Sequence, residues 1–167
     1  ALNDAGVEVV DVETQPHLES VFDAADTILH YEIFRVFAWE RTNHPDLISD
    51  LVQRMFLKAE SIDLDQYLSA QAVLRLAQQA HEQFMAASGL DGLLTPSAPG
   101  EAPSIETTGD SIFNRVWTSL GVPTIHLPVT LGPSGLPVGV QLVGQSLCDQ
   151  RLLAAAAVVE DSFGIAT

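Results

Sequence analysis

Two apolar runs, residues 123–131 and 136–143, flank Gly132-Pro133-Ser134-Gly135. Val, Ile, Leu and Thr dominate both, which favours pleated strands, and Gly, Pro and Ser bring turn chemistry between them. Neither run alternates cleanly between apolar and polar positions. That pattern predicts strands covered on both faces, inside a sheet and not on its edge. Residues 7–12 (VEVVDV), after Gly6, form another short β-type run. The period then changes. Leu18, Val21, Phe22, Ala25, Ile28, Leu29, Ile33, Phe34 and Phe37 recur at helical spacing, predicting a helix from Pro16 to about Glu40. A second helix starts near Pro45 and carries Leu47, Ile48, Leu51, Val52, Met55 and Phe56 on one face. Asp63 is the N-cap of a long third helix over 64–88, ended by Gly89. Residues 90–95 read as a short strand, and the prolines of 96–103 keep the next stretch out of a sheet. Asp110 caps a short helix with Phe113, Val116, Trp117 and Leu120, closed by Gly121. Asp149 opens a last helix over 150–162, with Gly164 at its end. The order β-α-α-α-β-α-β-β-α predicts an α/β domain, a mixed sheet with helices packed over it.

Composition narrows the function classes. The 167 residues suit one domain and are 47% hydrophobic, enough for a substantial core. The formal charge of -15, with 7 Lys and Arg against 22 Asp and Glu, argues against a nucleic-acid partner. No apolar run reaches the roughly 20 residues of a membrane helix, so no membrane partner is expected. Cys148, the single cysteine, excludes an intrachain disulfide and fits a cytoplasmic location. Ala1 to Gly6 lack an initiator Met and read as the last turn of a helix, so the chain is expected to begin in mid-structure.

The search for chemistry returns no complete catalytic set. Ser134 and Ser146 do not fit G-x-S-x-G, and Ser134 has the neighbours of a turn residue. Lys58, the sole lysine, ends an amphipathic helix and reads as solvated. His81-Glu82 starts like a zinc motif, but position 85 is Met; no metal site and no cofactor are expected. His126, within an apolar run, reads as a hydrogen-bonded core histidine and not a general base. Ile33, Phe34, Phe37 and Trp39 form core or a partner surface.

One set of motifs carries more. Asp91-Gly92-Leu93-Leu94-Thr95-Pro96, Ala102-Pro103, Trp117-Thr118 with Gly121-Val122-Pro123, and Gly135-Leu136-Pro137-Val138-Gly139-Val140-Gln141 occur in that order. Together they resemble the C-terminal part of amidase signature enzymes, and the resemblance extends over nearly all of residues 1–167. It implies an α/β/α sandwich around a mixed sheet and hydrolysis of an amide carbon–nitrogen bond. The family's relatives act on ureido compounds or transfer ammonia to misacylated tRNA. Its chemistry uses a Ser nucleophile, a second Ser, a Lys base and backbone amides as oxyanion hole. The Gly/Ser-rich signature and Lys segment that hold these groups are not in this sequence, so no catalytic residue is assigned. The stretch before G-x-P implies pocket candidates at Ser111, Asn114, Trp117 and Thr118.

Two readings follow. In the first, the chain is the C-terminal half of an amidase, partnered by the N-terminal half of the same domain and a small-molecule amide, with a homo-oligomer left open. In the second, it is a stand-alone, non-catalytic interaction module that keeps half of the fold.

Overall fold

The computed structural model describes residues 2–163, so Gly164, expected to end the last helix, lies outside the described residues. The helices are α1 (Pro16–Val36), α2 (Ala38–Asn43), α3 (Asp50–Ala59), α4 (Leu64–Ser88), α5 (Ile112–Leu120) and α6 (Asp149–Phe163). The strands are β1 (Leu93–Pro96), β2 (Thr124–Leu131) and β3 (Pro137–Val143). The chain divides into two units: Pro16–Ala77, and the residues up to Gln15 together with those from Gln78 onward.

The second of these units holds the sheet, in the order β1-β3-β2. Both pairings are antiparallel, Leu93 opposite Val143 in one and Thr124 opposite Val143 in the other. The α/β class stands, and every strand pairing among the described residues is antiparallel. Val7 to Val12 has no regular secondary structure and joins no strand ladder among the described residues, in contrast to the expectation of a first strand. A β-type composition supplies no partner strand; the Val7 N–H bonds to Leu2 O at 3.1 Å, in a turn and not in a ladder.

The two apolar runs also separate. β3 is central and its last residues Gln141, Leu142 and Val143 are all buried, as expected of a strand covered on both faces. β2 is an edge strand, with Thr124, His126, Thr130 and Leu131 exposed. His126 is exposed and so not the core histidine expected: among the described residues no helix covers its face at β2, while Leu127, next in the same strand, is buried under α6. Its ring lies over Gly139, where a Cβ would run into both the Leu127 carbonyl and the His126 ring. A strand glycine here permits that close approach.

The pleat sorts side chains to two faces. On one, Leu127 and Leu142 pack with Leu152, Ala156 and Val159 of α6, flanked by Ile125 and Val140. Gln141, one residue away in β3, faces the opposite side and hydrogen-bonds α5. The last turns of α4 pack on α5: Gln78 Nε2 donates to Ser119 O at 3.4 Å, and the His81 and Trp117 rings lie 5.8 Å apart. The result is helix, sheet, helix.

The other unit is helical. The predicted single helix to Glu40 is broken at Phe37, which leaves helical geometry at φ -89°, ψ 22°. Arg41 folds back at this break: its Nη1 donates to Phe34 O at 2.8 Å and its guanidinium lies 3.4 Å over the Phe34 ring. The α3 start is also later than expected, because Pro45–Leu47 forms a single 3-10 turn and the α-helix begins only after Ser49, whose side chain makes no capping hydrogen bond. α4 begins where the Asp63 cap predicts. Asp63 Oδ1 accepts from Gln66 N–H at 2.8 Å while Gln66 Oε1 accepts from Asp63 N–H at 2.9 Å, a reciprocal capping box. Tyr31 and Tyr67 stack with centroids 4.1 Å apart, and Tyr67 donates to Glu32. That hydrogen bond, first, raises the Tyr67 phenol above its ordinary pKa, with desolvation adding to it.

Candidate functional site

The candidate site is built on α5 and the loop that leads into it. Asp110 Oδ1 accepts from Ile112 N–H at 2.9 Å, and Ser111 is the N-cap residue, so the expected cap acts one residue before it. Gly121, at φ 67°, closes the helix and the chain turns into β2. With Ser111 at the helix start, steps of three and four put Asn114 and Thr118 on the same side. All three are exposed and form one polar stripe. Trp117 does not join it. It is 6% exposed, on the face with Val116 and Leu120, against His81. The four predicted residues thus resolve into an exposed wall of three and a buried aromatic behind it.

The stripe is fastened to the sheet by Asn114 itself, together with Ser97 and Gln141, to which sequence reasoning assigns no such role. Asn114 Nδ2 donates to Ser97 O at 3.1 Å, and Ser97 Oγ donates to Gly139 O at 3.0 Å. Gln141 Nε2 donates to Pro96 O at 3.0 Å and to Phe113 O at 2.6 Å. A glutamine inside an otherwise apolar strand is the available signal, since a buried amide requires partners.

A second clamp holds the loop after β1. The Glu101 carboxylate accepts from the backbone N–H of Ser134 at 2.8 Å and of Leu136 at 3.0 Å, in the β2–β3 turn. Hydrogen bonding by the Ser134 side chain, and by the backbone amides of Leu136, Ser134 and Gly135, holds Glu101 below its ordinary pKa against an opposing desolvation. A Cβ at Gly132 would run into Glu101, so this turn takes a residue without one. Ser134 is a turn residue, as expected, and its contacts are to Glu101 and not to a base.

Other candidates do not converge on a catalytic group. Lys58 is exposed and ion-paired with Asp26. Trp39 is 61% exposed, on the surface and not in the core. A cavity of about 240 Å³, lined by Arg41, Pro45, Ile48, Gln53, Phe56 and Leu57, contains none of the four predicted residues. Among the described residues, no group of three or more His, Cys, Asp or Glu could hold a metal ion. No helix among them is long and apolar enough to cross a membrane.

The amidase family model matches residues 1–153, and the chain belongs to that family. It is 28% identical over 196 residues to a glutamyl-tRNA(Gln) amidotransferase subunit of Mesorhizobium japonicum, covering 98% of this chain and 37% of the relative. It is 35% identical over 111 residues to the corresponding mitochondrial glutamyl-tRNA(Gln) amidotransferase subunit of Rattus norvegicus, covering 60% of this chain and 21% of the relative. Among solved structures, a crystal structure of an amidase matches with TM-score 0.84 and 28% identity, covering 96% of this chain and 39% of that one. The chain therefore spans about two fifths of the length of relatives that match it end to end.

Proposed function

We propose that the complete protein hydrolyses an amide carbon–nitrogen bond in a small molecule, and that this chain supplies sheet scaffold and one wall of the pocket. The Ser nucleophile, the second Ser and the Lys base lie in segments outside these 167 residues, which contain no Gly/Ser-rich signature. The nucleophilic hydroxyl attacks the amide carbonyl carbon, its proton passes through the second Ser and the Lys to the leaving nitrogen, and the amine departs. Water then attacks the ester carbonyl, releasing the acid and restoring the hydroxyl. Ser111, Asn114 and Thr118 form the wall toward substrate, and Trp117 backs it. The family match over residues 1–153, which encloses this helix, carries the reading. Related chemistry in the family includes ammonia transfer, as the name of the Mesorhizobium relative says. Free hydrolysis is the favoured reading, because 22 acidic against 7 basic residues suit an uncharged small amide better than tRNA. A cytoplasmic location is proposed from the single Cys148.

The test is release of ammonia or amine from a panel of aliphatic, aryl and peptide amides by the purified complete protein. Turnover of at least one, abolished by a serine-directed inhibitor, is expected. No turnover of any amide, with a stable complex between this domain and another protein, would favour the non-catalytic module instead.

A further inference from the structure

We propose that Gln141 is a positioning residue that sets where the α5 wall stands relative to the sheet. The inference rests on the reading of that wall as a pocket surface. Gln141 is 3% exposed, in the middle of an apolar strand, where an aliphatic side chain would pack without any hydrogen-bonding requirement. It is answered fully at its donor end. One hydrogen of its NH2 goes to Pro96 O at the end of β1, 3.0 Å away, and the other to Phe113 O of α5, 2.6 Å away. Both partners are carbonyls and can only accept, so the amide fits one way round. A single planar group therefore fixes the distance between a strand end and the helix bearing the wall.

The position of this link matters. Phe113 directly precedes Asn114, and Thr118 follows one turn later on the same face. A parallel link runs through Ser97, which donates to Gly139 O and accepts from Asn114 Nδ2. Gly139 and Gln141 lie two apart in β3, and the links leave by different groups, the backbone carbonyl of Gly139 and the side chain of Gln141. Loss of either shifts the wall while the α6 face of the core, built from Leu127, Leu142 and Leu152, stays intact. A displaced wall weakens substrate binding without touching the reacting groups.

The experiment uses the complete protein with Gln141→Met, Gln141→Glu and Ser97→Ala, read by amide kinetics and by hydrogen exchange over residues 111–118. Gln141→Met is expected to raise KM roughly tenfold with kcat within about twofold, and to speed exchange at 111–118 while 137–143 stays protected. Gln141→Glu puts a carboxylate against two carbonyls at neutral pH. It is expected to recover toward wild-type KM as the pH falls, when a protonated carboxyl can donate one bond. Ser97→Ala, which keeps the core, is expected to show the same pattern at about twofold size, and serves alone should Gln141→Met not fold. Unchanged exchange at 111–118, or a fall in kcat at constant KM, would overturn the proposal. If the wild type turns over no amide, the functional reading fails, and exchange at 111–118 then decides on Gln141 by itself.

Discussion

Val7 to Val12 and strand β3 are both rich in valine, the first carrying Glu8 and Asp11 and the second no charge, and they reach opposite states. The first has no regular structure, pairs with no strand among the described residues, and leaves Val9 and Val10 51% and 50% exposed. The second is hydrogen-bonded on both edges, with Val143 at 0%. The difference lies in what surrounds them. β3 has β1 and β2 beside it, α6 against one face and α5 against the other. Residue preference makes a segment eligible for a sheet, while partners and cover make it a strand.

The contrast can be broken most forcefully in β3. Leu142→Ala removes a fully packed side chain between the sheet and α6, and is expected to cost about 2–5 kcal/mol in denaturant unfolding. Gly139→Ala forces a methyl into the Leu127 carbonyl and the His126 ring, at a cost of about 1–3 kcal/mol by thermal unfolding. Truncating His126 in the same chain should recover only part of that, since the carbonyl remains. A valine in the other run is a much smaller perturbation. Val9→Thr is expected to stay within about ±0.5 kcal/mol in the same assay, and a loss as large as that of Leu142→Ala would show that residues 7–12 already have a partner.

The smallest effect is at Glu101. Its folded-state pKa is depressed, so the carboxylate contributes stability above the ordinary glutamate value of about 4.3, and this fades as pH falls through the lower folded value. Glu101→Gln should flatten that acid limb of the stability curve. An unchanged limb would mean that the turn is held without this carboxylate.

Much of the fold is legible in the sequence because local rules and tertiary context agree. The Asp63 capping box, Gly121 and the Gly132 to Gly135 turn all act where the sequence places them. The departures come where distant partners decide. An apolar run cannot reveal which of its faces a helix covers, so Leu127 is buried under α6 while His126, on the other face, is exposed. The Arg41 contact with the Phe34 carbonyl spans seven residues, beyond a helical-periodicity reading, and it accompanies the break at Phe37. The proposed pocket role of Ser111, Asn114 and Thr118 comes from the resemblance alone, because by residue type they look like ordinary polar helix residues. The links that hold it run from Gln141 to Phe113 and from Asn114 to Ser97, 28 and 17 residues apart in the chain.

The central claim is a division of labour, with scaffold and pocket wall here and covalent chemistry elsewhere in the protein. The direct measurement is to trap the covalent enzyme intermediate on the complete protein with a serine-directed phosphonate and locate the adduct by peptide mass spectrometry. The account predicts one adduct, on a serine outside these 167 residues. An adduct on Ser97, Ser111, Ser134 or any other serine of this chain would contradict it.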